Sequence, residues 1–75
     1  MIQTKYPYIH FEKSKNHPHL KTEIWYCLNN KSNSILGTIK WYGTWKQYCF
    51  LPDLAIFNKG CLLDIIDFLN QLNKK

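Results

Sequence analysis

Along residues 59–73, Cys61, Leu62, Ile65, Ile66, Phe68, Leu69 and Leu72 recur at spacings of three and four. That is the period of an α-helix with a wide apolar stripe. Asp64, Asp67, Asn70 and Gln71 take the remaining surface, and Asn58 stands where a side chain caps the first turn. An amphipathic helix must bury its stripe on another element. This is the one convincing helical pattern in the chain, so a sheet has to receive it. At 75 residues the chain has no room for a second core. A domain of this size buries only about 60% of the surface its unfolded chain exposes. Aromatic residues compensate: they make up 16% of the chain, with three Trp, five Tyr and four Phe.

Four extended segments supply the sheet. Residues 6–12 (Tyr-Pro-Tyr-Ile-His-Phe-Glu) are aromatic and β-branched, with Pro7 at the start or edge. A polar loop over 13–21 leads to a second strand at 22–29, with Ile24, Tyr26 and Leu28 on one face and Glu23, Trp25 and Cys27 on the other. Asn30-Lys31-Ser32-Asn33-Ser34 is a turn by its side-chain chemistry. In a third strand at 35–42, Ile35, Gly37, Ile39 and Trp41 alternate with Leu36, Thr38, Lys40 and Tyr42. The first set reads as facing the helix, and Gly37 as a bulge or a place where a neighbouring aromatic packs closely. After a tight turn at Tyr42-Gly43-Thr44, a fourth strand at 45–51 stops at Pro52. The expected fold is a single α+β domain: a three- to four-stranded antiparallel β-meander with one C-terminal amphipathic helix packed on one face.

The net charge of +5 is unevenly placed. Residues 1–50 hold seven Lys against Glu12 and Glu23, whereas residues 51–75 balance Lys59, Lys74 and Lys75 against Asp53, Asp64 and Asp67. An anion-attracting surface therefore belongs to the first two thirds. All ten basic residues are Lys, which lacks the planar fork that reads guanine or clamps phosphate. Cys27, Cys49 and Cys61 form an odd, widely spaced set, which predicts free thiols and a reducing compartment. With no signal-peptide pattern and no apolar run of membrane-span length, the expected location is the cytoplasm.

From Leu36 to Pro52 the chain reads Leu-Gly-Thr-Ile-Lys-Trp-Tyr-Gly-Thr-Trp-Lys-Gln-Tyr-Cys-Phe-Leu-Pro. This stretch resembles a widespread family of small proteins encoded by bacterial viruses and prophages. Their shared pattern is Ile-Lys-Trp-Tyr-Gly-x-Trp-(Arg/Lys)-Gln-Tyr-x-Phe-x-Pro, followed by a helix start that Phe57, Asn58, Cys61, Leu62 and Ile65 match here. The resemblance covers roughly residues 22–73, and the family usually carries Arg where this chain has Lys46. It implies a viral accessory protein and supplies no catalytic residues. Small viral accessory proteins commonly bind and disable host machinery, bacterial immune effectors included, an association by class and not by residue.

Four constellations carry chemistry. The aromatic and basic residues around the last turn, Lys40, Trp41, Tyr42, Trp45, Lys46, Gln47 and Tyr48, can stack bases or fill a partner's pockets, or else serve as core. Alternation places Trp25, Lys40, Tyr42 and Lys46, with one of Trp45 and Tyr48, on the sheet face away from the helix. With both Trp45 and Tyr48 kept as candidates, the expected partner-binding residues are Trp25, Lys40, Tyr42, Trp45, Lys46 and Tyr48. His10, His17, His19 and Cys27 are metal-ligand types, but without the tight pairs of a structural zinc site they predict no metal. Cys49 and Cys61 read as small core residues, and no oxyanion element accompanies Cys27. Asp64 and Asp67, three apart, read as a solvated helix face.

The expected function is a non-catalytic inhibitor, with no cofactor, that binds a host protein or nucleoprotein such as a bacterial defence effector, in the manner of an anti-CRISPR protein. Direct binding of RNA or single-stranded DNA is the alternative, and a component that oligomerises through an exposed strand edge is a third reading.

Overall fold

The computed structural model describes residues 2–15 and 21–74. The chain runs β1 (Ile9–Lys13), β2 (Ile24–Asn29), β3 (Ile35–Tyr42), β4 (Gln47–Pro52) and α1 (Lys59–Asn73). All four strands pair antiparallel in the order β1-β2-β3-β4. This is the expected α+β meander with one C-terminal helix. Asn58 caps α1, its Oδ1 accepting the Cys61 N–H at 2.8 Å. Asn29 Oδ1 accepts the Lys31 N–H at 2.8 Å and so shapes the 30–34 turn, in which Asn33 takes a left-handed φ of 60°.

The core lies between α1 and one sheet face. Ile9, Phe11, Cys27 and Ile39 from the sheet meet Ile65, Phe68 and Leu72 from the helix. Phe68 stacks flat on Phe11, ring centroids 4.0 Å apart, and takes the edge of Trp25 at 5.0 Å. Two expectations about facing change here. Trp25 sits on the helix side and not on the outer face. Both faces of β2 carry large apolar residues, so alternation has no polar face to orient it. Its indole N–H donates to Glu23 Oε1 at 2.9 Å, which keeps the polar edge satisfied beside the core. On the helix, Ile66 is 51% exposed and Leu62 is also exposed, while Leu69 packs against the core. The stripe is wider than the sheet can cover.

A bulge explains a third difference. Cys27 pairs with Gly37 but Leu28 pairs with Ile35, so Leu36 is an extra residue on β3. Leu36 packs toward the core, and Ile35, which alternation places facing the helix, is turned out and exposed. Gly37 is required where it stands. A Cβ there would lie 2.5 Å from the Phe50 ring and 2.8 Å from the Leu51 carbonyl oxygen. Gly37→Ala is expected to cost about 1–3 kcal/mol by overpacking, read as a lower midpoint in urea denaturation.

The first strand is shorter than the expected 6–12, because the chain reverses at Pro7 and Tyr8. Residues 4–6 run back beside β1, with the Phe11 N–H donating to the Thr4 carbonyl at 2.9 Å. They are tied to the helix. Tyr6 Oη donates to Asp67 Oδ2 at 2.8 Å, and the Gln3 N–H donates to Gln71 Oε1 at 2.7 Å. Burial, with the Asp67 carboxylate beside it, raises the Tyr6 phenol well above its ordinary range. Asp67 therefore anchors the N-terminal segment and is not merely a solvated helix charge.

At the other edge, the Tyr48 N–H donates to Asn73 Oδ1 at 2.7 Å and Asn73 Nδ2 donates to the Tyr48 carbonyl at 3.3 Å. Along β4 the backbone nitrogens of Tyr48, Phe50 and Pro52 point away from β3. With Tyr48 clamped and Pro52 lacking an N–H, only Phe50 keeps an outward-facing donor, a short and blunted edge.

Candidate functional site

The β3–β4 hairpin gathers most of the residues expected to bind a partner. Its loop is Gly43-Thr44-Trp45-Lys46, closed by the Trp45 N–H on the Tyr42 carbonyl at 3.2 Å and the Lys46 N–H on the Gly43 carbonyl at 3.3 Å. Lys46 takes a left-handed φ of 51°. That conformation ends the turn, so the strand begins at Gln47 and not at Trp45.

The loop lifts Trp45 into solvent, where it is 65% exposed. It does not hang free. Its ring meets Tyr42 edge to face, centroids 5.0 Å apart at 88°. Across the hairpin, Trp41 and Tyr48 make a second such pair at 5.4 Å and 79°. Such pairs are worth about 0.5–1.5 kcal/mol beyond area burial and fix ring orientation. Lys40 and Tyr42 lie on the outer face, as expected, and Lys46 at the loop's end. Among the described residues neither Lys40 nor Lys46 has an ion-pair partner.

Tyr48 belongs elsewhere. Its backbone is clamped by Asn73, its Oη accepts the Glu23 N–H at 3.1 Å, and its ring rests on Trp41 on the helix side. It braces the hairpin from behind. Trp41 also lies on the helix side, but α1 ends at Asn73 and leaves part of its ring exposed.

Trp45 stands where two depressions meet. On the outer face, Lys40, Tyr42, Trp45 and Leu51 help to line a hollow of about 260 Å³. On the helix side, Trp45, Phe50, Ile66, Leu69 and Asn70 help to line a groove of about 350 Å³ between β4 and α1. Sequence reasoning missed the groove. The signal that could have found it is Asn70 and Asn73, amides four and seven residues beyond Ile66, along the margin of the apolar stripe.

The other constellations separate. His10 Nδ1 contacts Asn30 Oδ1 at 2.6 Å and its Nε2 contacts Glu12 at 3.2 Å. His17 and His19 lie outside the described residues. Among the described residues no group of three or more His, Cys, Asp and Glu converges as metal ligands would. The three thiols are free. Cys27 is fully buried, and burial pushes its thiol up to about 12, unsuited to nucleophilic work. Cys61 packs against the core, but Cys49 does not belong to it. By strand alternation Cys49 lies on the outer sheet face, half-buried beside the hairpin.

No family model matches the chain, and neither the curated proteins nor the solved structures hold a match.

Proposed function

We propose that this protein is a non-catalytic binding module that docks onto an acidic host protein or nucleoprotein through the β3–β4 hairpin and disables it. The observation that carries this reading is the tip itself: an exposed Trp45 held edge-on to Tyr42, flanked by Lys40 and Lys46 without ion-pair partners among the described residues. Pre-oriented aromatics that bind with little loss of freedom are the usual anchors of protein interfaces, and lysines around them steer an acidic partner and set its register. These are groups for contact and not for bond making. The viral and prophage proteins that the hairpin sequence resembles give the reading its setting, inhibition of a bacterial defence effector in the host cytoplasm. Among the described residues no helix is long and apolar enough to cross a membrane.

The test is affinity capture from a bacterial host lysate, with and without nuclease, followed by a salt titration of the complex formed. A defined protein partner that survives nuclease is expected. If capture requires nucleic acid, and affinity falls by about 0.7 log unit per log unit of salt for each phosphate contacted, the hairpin is instead stacking bases of a single strand.

A further inference from the structure

The outer edge of β4 is open at a single residue. The Asn73 amide takes both the N–H and the carbonyl of Tyr48, and Pro52 has no N–H. Between them Phe50 directs its N–H and carbonyl away from β3, and among the described residues neither has a partner. Main-chain groups left open at a strand edge pair with an extended peptide that comes alongside.

The Asn73 clamp sets α1 alongside this edge. Asn70 lies about 4.5 Å back along the helix from Asn73, and Phe50 lies about 6.8 Å along the strand from Tyr48. Both line the groove between β4 and α1, with Ile66 and Leu69 as its apolar wall. The Asn70 carboxamide has no hydrogen-bond partner among the described residues. At its Trp45 end the groove runs into the depression lined by Lys46, the two sharing Trp45, Gln47, Tyr48 and Asn73. Among the described residues Lys46 is the only charged side chain lining either, and it has no ion-pair partner. These groups specify the occupant: an amide to pair with Phe50 and Asn70, an apolar side chain for the wall, and one carboxylate for Lys46. A nucleic-acid backbone has no N–H for the Phe50 carbonyl and brings a phosphate per nucleotide to a single lysine. A second copy brings a β4 whose Tyr48 is already clamped, and a like charge of +5.

We infer that an extended segment of the partner protein lies in this groove, pairing one residue with Phe50 and Asn70, with an apolar side chain on Ile66 and Leu69 and an acidic one at Lys46. This rests on the reading of the hairpin as the docking end and adds the chemistry of the docked segment. The probe is a displayed library of short random peptides selected on the protein. Selected sequences are expected to combine Asp or Glu with a large apolar residue. A synthetic copy is expected to shift the Phe50 amide and the Asn70 side-chain amide in the NMR spectrum and to slow exchange at Phe50. Asn70→Ala is expected to weaken it about two- to tenfold, and Ile66→Asp about tenfold or more, both with the thermal melt unchanged. In Lys46→Gly, changing the acid of the peptide to its amide is expected to cost no further affinity. An empty selection overturns the inference. So do peptides that leave Phe50 and Asn70 unperturbed, or an oligothymidine strand that shifts both where no peptide does. Either failure leaves Lys40 and Tyr42 on the outer face to be tested by lysate capture. Peptides seated here with no host protein captured uphold the groove and remove the inhibitory role of the hairpin.

Discussion

Phe68→Ala is expected to leave the protein largely unfolded at room temperature. Phe68 is fully buried, lies flat on Phe11 and receives the edge of Trp25. Its loss removes the contact through which the helix holds both β1 and β2. Truncating a buried Phe costs about 3–5 kcal/mol, and a core of this size seldom supplies more than about 3–5 kcal/mol of net stability. Circular dichroism should show loss of the cooperative melt. The comparison that locates the core is Ile66→Asp beside Leu69→Asp. Periodicity places both side chains inside, but only Leu69 packs on the core. Leu69→Asp is expected to unfold the domain by burying an unpaired carboxylate. Ile66→Asp is expected to fold and to melt near the wild-type temperature. The opposite pattern would show that α1 packs by another face.

Loss of partner binding without loss of fold is the second large effect expected. Trp45→Ala removes an exposed ring, and an interface anchor of this kind is worth about 2–4 kcal/mol, or roughly 30- to 1,000-fold in affinity. Lys40→Glu combined with Lys46→Glu reverses the field at the tip and should slow association with an acidic partner. Exposed charges seldom matter to stability, so melts of these variants should overlay the wild type. Lys46→Gly is a sharper probe. Glycine adopts the left-handed φ of 51° without a Cβ penalty, so the change removes the charge while holding stability within about 1 kcal/mol. If Trp45→Ala and Lys46→Gly both retain full affinity for the captured partner, the hairpin is not the binding site.

The features legible in the sequence are those governed by near neighbours. Residues three and four apart define the helix, Asn58 marks its start, and the Asn-Ser cluster marks the 30–34 turn. Gly37 reads as a close approach by an aromatic, and Phe50 is that aromatic. Less legible were features decided by residues far apart or by competition between two acceptable faces. Alternation puts Trp25 on the wrong side of β2, because both sides are apolar and no polar face orients the strand. The bulge at Leu36 adjoins the Gly37 that reads as a bulge, but strict alternation along β3 misses that it reverses the facing of Ile35. The left-handed Lys46 lies at a position where Gly or Asn would have signalled the turn, so the hairpin loop is longer than expected. The ties from Gln3 and Tyr6 to Gln71 and Asp67 span more than sixty residues, and no local pattern encodes them. The candidate site was legible as a group because aromatics and lysines interleave over 40–48, but only the fold separates Trp45 and Tyr42, which face outward, from Tyr48, which braces them.

The Asn73 clamp also decides where the molecule can be handled. The helix ends beside the hairpin, with Leu72, Asn73, Trp41 and Trp45 lining one depression of about 640 Å³. Any peptide that continues past Asn73, including a purification tag or a fused reporter, leaves the fold next to Trp45 and competes with whatever docks there. The segment at Gln3, bonded to Gln71 a half-turn away on the same helix, brings an N-terminal appendage to the same end. The 30–34 turn joins the opposite ends of β2 and β3, and a fluorophore on Ser32 reports from the far side of the sheet with the hairpin unobstructed.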